Sequence, residues 1–332
     1  MKQKIKIVAI GGGTGTYTLV KGLHDFTDFD LTSVVTMADD GGSNKVLRDE
    51  FGLLPTSGIR QSLVALSEHE GLLRKLFEYR YYQGVGISGM TFGNLFMAAV
   101  SDIVGSQRQA IAETGKLLRI RGQVLPVSYE TTSLLATYED GTEVLGEHYI
   151  DVSGPKVRTK RIASLRAIPK ITLDDEVRKA ILAADYLVLG PGDLYTNTIA
   201  NLVVSGVREA IESSSAKVIF VMNLMARAGE TYHYTAADHL NDLAQYMDPD
   251  RLDYILVNSD TRMAPSTANA YEREGASLVV DDLGKIWHRA HIVRAPLRSH
   301  HLPAVEKGDT LARSIVRHDQ KKLAEALYEL AG

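Results

Sequence analysis

Residues 5–16 read Ile5-Lys6-Ile7-Val8-Ala9-Ile10-Gly11-Gly12-Gly13-Thr14-Gly15-Thr16, and they decide the fold class of this chain. The first six residues have the length and apolar content of a buried strand, and residues 17–23 are compatible with a helix. Glycine lets the backbone approach an anion closely, and the start of a helix offers free N–H groups with a partial positive charge. The stretch therefore predicts the phosphate-binding turn of a nucleotide-binding α/β protein.

The glycine motif alone does not identify the ligand. It is not a Walker loop, because no Gly-Lys-Ser/Thr ends it. Thr18 also stands where the dinucleotide fingerprint G-x-G-x-x-G needs its third glycine. A tight turn without a ligand is the alternative, but such a turn does not need four glycines in five residues.

Composition narrows the class of protein. The 332 residues suffice for one large α/β domain or two small ones, and the net charge of −4 argues against non-specific nucleic-acid binding. The absence of cysteine excludes disulfides, thiolate zinc sites and a cysteine nucleophile, and it fits a reducing cytosol. The apolar run near the N-terminus is too short for a signal peptide or a membrane span. We therefore expect a cytoplasmic protein.

Strand-like and helix-like segments alternate along much of the chain, which predicts a mostly parallel sheet. Predicted strands are residues 5–10, 31–36, 186–189, 217–222 and 254–257, with a weaker one at 278–280. We predict a single domain over residues 1–332 with a Rossmann-like three-layer α/β/α core.

The stretch between the second and third predicted strands has a different character. Residues 59–118 have helical spacing, with helices predicted at 60–66, 72–79 and 92–104. Residues 123–168 alternate apolar and polar side chains, and Asp140-Gly141 is typical of a hairpin turn. Residues 59–168 are therefore predicted to form an inserted cap subdomain, helical first and then a β-hairpin. At the other end of the chain, residues 323–330 predict a helix capped by Asp319.

The segments after the predicted strands are rich in glycine, small polar residues and carboxylates. In an open parallel sheet the carboxyl ends of the strands meet at one edge, where ligands bind. Turn chemistry alone does not predict this density at one edge, so we predict one ligand site there. The segments are Gly11-Gly12-Gly13-Thr14-Gly15-Thr16, Asp39-Asp40-Gly41-Gly42-Ser43, Gly190-Pro191-Gly192-Asp193, Asn223 followed by Gly229-Glu230-Thr231, and Asn258-Ser259-Asp260.

Asp39 and Asp40 have several possible roles. An acid after the second strand can accept hydrogen bonds from a ribose, and two carboxylates can hold Mg²⁺ beside a diphosphate. An Asx turn that opens the Gly41-Gly42 loop needs no ligand. We expect at least one of the two carboxylates to contact the ligand, and we favour that role over metal binding.

Other polar residues carry weaker signals. Asp193 can cap the next helix while the same turn presents N–H groups to a phosphate. Arg60, at a predicted helix start, can pair with a phosphate or simply be exposed. The stretch from His288 to His301 contains four histidines without the spacing of a metal site, and a solvated basic loop is the favoured interpretation. No catalytic residue is assigned.

Taken together, these segments resemble the YvcK/CofD family, and in particular its YvcK branch of gluconeogenesis-factor proteins. The matching motifs occur in the family's order between residue 5 and about residue 240. They are Gly11-Gly12-Gly13-Thr14-Gly15, Met37-Ala38-Asp39-Asp40-Gly41-Gly42-Ser43, Phe92-Gly93-Asn94-Leu95, Gly190-Pro191-Gly192-Asp193-Leu194-Tyr195-Thr196, and Asn223-Leu224-Met225 followed by Gly229-Glu230-Thr231.

The resemblance implies a Rossmann-like fold, a nucleotide-diphosphate ligand and a homodimer. Members of the YvcK branch look like UDP-sugar-binding regulatory proteins that act in cell shape and growth on gluconeogenic carbon sources. The CofD branch instead transfers a 2-phospho-L-lactyl group from a guanosine diphosphate-activated donor to a deazaflavin. A nicotinamide-dinucleotide protein is a third hypothesis, suggested by the fold alone. The regulatory binding protein is the favoured hypothesis, with Mg²⁺ as a possible cofactor and no other cofactor expected.

The resemblance, together with the loops described above, implies a set of nucleotide-binding residues. They are Gly11, Gly12, Gly13, Thr14, Gly15, Thr16, Asp39, Asp40, Gly41, Gly42, Ser43, Arg60, Asn94, Gly190, Pro191, Gly192, Asp193, Tyr195, Thr196 and Asn223. The chain departs from the family pattern in three places. Asn44-Lys45-Val46 replaces a small residue and glycine, Thr56-Ser57-Gly58 lacks the usual aspartate, and Asp193 replaces a serine.

Overall fold

The computed structural model describes residues 4–69, 71–301 and 316–331, without the side chains of residues 42 and 43. The strands are β1 (Ile5–Gly11), β2 (Phe29–Val35), β3 (Gln123–Pro126), β4 (Ser133–Tyr138), β5 (Glu143–Leu145), β6 (Ile162–Ile168), β7 (Tyr186–Leu189), β8 (Lys217–Val221), β9 (Met225–Arg227), β10 (Tyr254–Asn258), β11 (Ala276–Leu278), β12 (Ile286–Trp287) and β13 (Ala290–Ala295).

Helices flank these strands. They are α1 (Gly13–Leu23), α2 (Gly42–Phe51), α3 (Ser57–Leu66), α4 (Leu72–Glu78), α5 (Phe92–Val104), α6 (Gln107–Leu117), α7 (Glu147–Asp151), α8 (Asp175–Leu182), α9 (Ala200–Leu202), α10 (Val207–Ser213), α11 (Ala236–Leu243), α12 (Pro265–Glu274) and α13 (Gln320–Ala331). A π-helix spans Leu194–Ile199, and a 3₁₀ turn spans Pro249–Arg251.

The central sheet has the order β12-β13-β10-β8-β7-β1-β2-β3. Every neighbouring pair is parallel except β12 with β13. From β3 to β10 this is the 3-2-1-4-5-6 order of a doubly wound Rossmann sheet, so the predicted α/β fold class is confirmed. The order reverses between β1 and β7, and ligands of such sheets bind in the crevice beyond that point.

The helix predictions within the described residues are confirmed to within a few residues at α3, α4, α5 and α13. Asp319 Oδ1 accepts hydrogen bonds from the N–H groups of Lys321 and Lys322, at 3.1 Å each. The last helix packs against α1 so closely that a Cβ on Gly22 would lie 2.4 Å from the Gln320 carbonyl oxygen. It therefore belongs to the core beside α1.

The predicted hairpin exists as β4 and β5, and β6 completes a separate antiparallel sheet in the order β5-β4-β6. We call this sheet with α7 the inserted sheet. The boundary of the insertion needs one correction. β3, which lies within residues 59–168, pairs in parallel with β2 in the central sheet, and its Val124 and Leu125 are buried. The segment outside the central sheet is therefore shorter than predicted.

The basic stretch near the C-terminus needs a second correction. Residues 290–295 form β13, which pairs in parallel with β10, and are not a solvated loop. β13 lies next to the end of the sheet, so its polar side chains can face solvent while Ala290 is buried. Arg294 pairs with Asp281 at 2.6 Å. The weak strand predicted at 278–280 instead overlaps β11, which pairs with β9 outside the central sheet.

Candidate functional site

The glycine turn after β1 places a helix start at the switch point. α1 begins at Gly13, and its N-cap residue Gly12 provides no side-chain cap. The Gly12 N–H donates to Thr16 Oγ1 at 2.8 Å, which folds the turn back on itself. Gly13 has a φ of 64°, a conformation that favours glycine. The N–H groups of the first helical turn have no partner within the helix, so they can receive an anion.

The turn after β7 packs directly on the glycine turn. A Cβ on Gly15 would lie 2.3 Å from the Pro191 carbonyl oxygen, and a Cβ on Gly192 would lie 3.3 Å from the Gly12 carbonyl oxygen. Asn223 Nδ2 donates to the Gly192 carbonyl at 2.7 Å. The two turns that the sequence analysis predicts to share a ligand therefore form one continuous backbone surface.

Two asparagines absent from the predicted set hold this surface. Asn201 Nδ2 donates to the Gly11 carbonyl at 3.0 Å. Asn197 Nδ2 donates to Asp193 Oδ2 at 3.3 Å, and Asn197 Oδ1 would lie 2.5 Å from a Cβ on Gly12. Glycine is therefore required at position 12 because the Asn197 side chain occupies the adjacent space.

Tyr195 and Thr196 contact protein groups. Their N–H groups donate to Glu230 Oε2 at 3.0 and 3.4 Å, and Thr196 Oγ1 donates to Glu230 Oε1 at 2.7 Å. Tyr195 Oη donates to Asp242 Oδ2 at 2.6 Å. Both residues are buried, so the structure gives them a structural role in the π-helix.

The loop after β2 separates the two aspartates. Asp39 Oδ1 accepts from the Gly41 N–H at 3.0 Å, and its carboxylate also hydrogen-bonds with Asn44. Burial, with Asp40 as a weaker cause, raises the pKa of Asp39. Asp40 Oδ1 instead accepts from the His148 N–H at 2.9 Å, which ties the loop to the inserted sheet. The side chains of Gly42 and Ser43 lie outside the described part of the structure.

A hydrogen-bond network continues from Asp39 to Arg60. Asn44 Oδ1 accepts from the Thr56 N–H at 3.1 Å, from the Ser57 N–H at 3.2 Å and from Ser57 Oγ at 3.0 Å. Asn94 Nδ2 donates to Ser57 Oγ at 3.0 Å. The network thus joins the first turns of α2, α3 and α5, whose dipoles favour negative charge nearby.

Arg60 belongs to this network and is buried, with 6% of its surface exposed. Its Nε donates to Asn94 Oδ1 at 3.1 Å, and its Nη1 donates to the Phe77 carbonyl at 3.3 Å. The exposed alternative for Arg60 is therefore wrong. Arg60 and Asn94 support the helix starts beside Asp39 from within the core.

Three carboxylates outside the predicted set of binding residues complete the candidate site, and of these three Glu230 alone belongs to a segment predicted at the ligand edge. Glu147 and Asp151 lie on α7, and Glu230 lies on the turn after β9. Burial raises the pKa of Glu147 to about 9, with the charges of Asp39 and Glu230 as further causes. Burial and the charge of Glu230 raise the pKa of Asp193 to about 8. The sequence offers no local signal for Glu147 and Asp151, because α7 is brought to the site only by the insertion.

Arg227 lies among these carboxylates. Its Nη2 pairs with Asp151 and lies 3.4 Å from Glu230 Oε1, while its Nε lies 3.3 Å from Asp193 Oδ1. One oxygen from each of the three carboxylates lies within 4.8 Å of the others, a donor set that suits Mg²⁺. The guanidinium already pairs with all three, however, so their charge is neutralised in part without a metal.

A separate cavity of about 500 Å³ lies beside β6. It is lined by Arg166, Val203, Ser205 and Tyr246 among others, and no residue of the predicted binding set lines it.

Within the described ranges, no helix is both long enough and apolar enough to cross a membrane.

The fold and the glycine turn at the switch point define a doubly wound α/β protein of the Rossmann type. The chain belongs to the CofD/YvcK family, because the family model described as "2-phospho-L-lactate transferase CofD" matches residues 7–298. The resemblance inferred from the motifs is thereby confirmed.

Relatives of similar length carry a different name. A Bacillus subtilis protein named "Gluconeogenesis factor" is 36% identical over 331 residues, which cover 99% of each chain. A protein of the same name from Halalkalibacterium halodurans is 38% identical over 330 residues, which cover 99% of this chain and 97% of the relative. The crystal structure of a UPF0052 family member from Bacillus halodurans aligns with a TM-score of 0.86 and 36% identity over 99% of both chains.

Proposed function

We propose that this protein is a cytoplasmic regulatory protein that binds a nucleotide sugar such as a UDP-sugar. It would act in the control of cell shape and of growth on gluconeogenic carbon sources. The observation that supports this proposal most directly is the backbone surface formed by two turns at the switch point. There the uncapped start of α1 meets residues 190–193 of the turn after β7. The names of the full-length relatives support the physiological part of the proposal.

The geometry supports a diphosphate in a defined place. Gly13 and Gly15 have no side chain between the helix start and an approaching anion. Asp39 lies in the loop after the neighbouring strand β2, where a carboxylate can accept hydrogen bonds from a ribose. We therefore place the diphosphate on the glycine turn and the nucleoside towards Asp39 and Asn223.

A transferase of the CofD type is the second candidate, favoured by the description of the matching family model. Glu147 and Asp193, whose raised pKa values lie near neutrality or above, would suit proton transfer in such a reaction. A nicotinamide-dinucleotide protein is less well supported, since Thr18 replaces the third fingerprint glycine.

A thermal-shift screen separates these candidates. The protein is heated with UDP-sugars, GDP, a guanosine diphosphate-activated donor and NAD, each with and without Mg²⁺. A ligand at 100 times its Kd stabilises the folded state by about 2.7 kcal/mol, so the correct class should raise Tm by several degrees. We expect the UDP-sugars to do so and to be recovered intact by chromatography. A shift with NAD alone, or consumption of the activated donor with a deazaflavin, would contradict the proposal.

We also propose a homodimer, as the family resemblance implies. α13 packs on α1 with Leu323 and Leu327 buried, so it offers little free apolar surface. α5 is the better candidate surface, because its Ile103 is 80% exposed. Light scattering at micromolar concentration should give twice the chain mass of 36.4 kDa, and a single monomer mass would refute the dimer.

A further inference from the structure

We propose that Glu230 is a positioning residue for nucleotide binding. Held by Arg227, it fixes residues 190–196 in the shape that receives the diphosphate without contacting the ligand itself. The proposal rests on the function proposed above, and it assigns to the turn after β9 the task of setting the geometry of the phosphate surface.

Most hydrogen bonds of the Glu230 side chain join it to the start of the π-helix. Its side chain is 1% exposed, and its two oxygens accept the N–H groups of Tyr195 and Thr196 and the hydroxyl of Thr196. N–H groups in the first turn of a helix lack partners within the helix. The carboxylate therefore supplies the partners that hold the backbone directly after Asp193.

Glu230 is itself held rigidly by its turn. The Gly229 N–H donates to the Arg158 carbonyl at 2.8 Å, and the Gly229 carbonyl accepts from Tyr138 Oη at 3.1 Å. Gly229 has a φ of +97°, and a Cβ there would lie 2.4 Å from Ser153 Oγ. The inserted sheet and the segment that follows α7 therefore clamp the turn from outside.

Arg227 connects the same turn to the phosphate surface. Its guanidinium pairs with Asp151 on α7, with Asp193 in the turn after β7 and with Glu230. Glu230 is buried, so removal of the Arg227 cation would leave its charge without that partner at a high cost, and the position of Glu230 therefore depends on Arg227.

A displacement at Tyr195 would reach the glycine turn through few atoms. The Asp193 carbonyl accepts from the N–H groups of Asn197 and Thr198, at 3.1 and 3.0 Å. The preceding Gly192 and Pro191 contact Gly12 and Gly15. Removal of the Glu230 charge should therefore weaken nucleotide affinity although Glu230 is not at the ligand.

The test compares Glu230→Gln with Asp242→Asn by calorimetric titration with a UDP-sugar, UDP and GDP. Asp242 accepts the hydroxyls of Tyr195 and Tyr234, at 2.6 and 2.5 Å, so it contacts the same π-helix through a side chain only. We expect at least a tenfold loss of affinity for Glu230→Gln and less than a threefold loss for Asp242→Asn, even where both lower Tm. Glu230→Asp, which keeps the charge, should recover part of the lost affinity. If Glu230→Gln does not fold, Thr196→Val removes the hydroxyl donor with little change in shape and replaces it in the test.

Wild-type affinity in a folded Glu230→Gln protein would overturn the proposal. So would equal losses in Glu230→Gln and Asp242→Asn that follow the loss of stability, because they would show a merely structural role. If the wild-type protein binds none of the three nucleotides, the proposed function itself is overturned, and this proposal falls with it. That outcome is distinct from the two above, because it is observed before any substitution is made.

Discussion

The two sides of the candidate site are built in opposite ways. The glycine side, residues 11–16, comes from consecutive residues of one turn and faces the site with backbone N–H groups. The carboxylate side, Glu147, Asp151, Asp193 and Glu230, comes from three separate regions of the chain and is built from side chains, of which Glu230 is buried against the π-helix. The backbone therefore determines where a phosphate can bind, whereas side-chain charge determines how binding and stability respond to pH and to the inserted sheet.

The largest effect is expected on the glycine side. A Gly15→Val substitution places a Cβ 2.3 Å from the Pro191 carbonyl, so the two turns must separate. Loss of two charge-assisted hydrogen bonds to phosphate, each contributing about 1.5–3 kcal/mol, should weaken affinity by about two orders of magnitude or more. Calorimetric titration with UDP-sugar measures the loss.

Gly154→Val is the matched control, because it adds the same side chain where nothing lies within 4 Å. It should leave affinity unchanged. If a folded Gly15→Val protein retains wild-type affinity for every nucleotide tested, the ligand does not lie on the glycine side.

A smaller effect is expected at Asp39, which lies near Glu147 at the junction of the two sides. Asp39→Asn preserves the shape of the side chain and removes its charge. If the carboxylate accepts from a ribose hydroxyl, the loss should be about fivefold to tenfold, the difference between a charged and a neutral hydrogen bond. It should be the same with and without Mg²⁺.

Asp49→Asn, an exposed substitution on α2, serves as the control and should bind like wild type. The comparison with Mg²⁺ also decides between the two roles proposed for Asp39. A much larger loss that disappears when Mg²⁺ is left out of both titrations would assign Asp39 to a metal instead.

The glycine side was predictable because its signal is local. An apolar run, a glycine cluster and a helix start are adjacent in sequence, so the order of elements alone defines their geometry. The same holds for the Asp140-Gly141 hairpin and for the cap at Asp319. Each depends on contacts between residues that are close along the chain.

The carboxylate side was predictable only in part. Asp193 and Glu230 lie in segments that the sequence predicts at the ligand edge of the sheet, but Glu147 and Asp151 do not. Glu147 reaches the site because β4, β5 and β6 fold as a separate sheet, and nothing around residue 147 encodes that approach. β13 was missed for a related reason. Its histidine and arginine are compatible with a strand near the sheet end, but without the neighbouring β10 they are also typical of a solvated loop. Arg60 could have been placed only with knowledge of its partners Asn94 and Phe77.

The smallest and most specific effect concerns the protons of the carboxylate side. Burial raises the pKa of Glu147 to about 9 from an ordinary value of 4.5, so between these values the folded protein holds a proton that the unfolded chain has released. The contribution of Glu147 to the free energy of unfolding is therefore greatest below pH 4.5 and is lost as pH rises through 9. Its slope is at most about 1.4 kcal/mol per pH unit for one proton, and partial exposure of Glu147 reduces it. Asp193, with a pKa of about 8, changes stability in the same direction but by less, because its side chain is 38% exposed and screened by solvent.

The free energy of unfolding of the wild type, measured in urea, should therefore fall from pH 5 to pH 8. The glutamine of Glu147→Gln cannot ionise. As pH rises, the free energy of unfolding of this variant should therefore fall less steeply than that of the wild type. Glu143→Gln, exposed on β5, should run parallel to the wild type. Parallel curves for Glu147→Gln and the wild type would mean that Glu147 is ionised in the folded protein, and that Arg227 or a bound cation neutralises the carboxylate side instead.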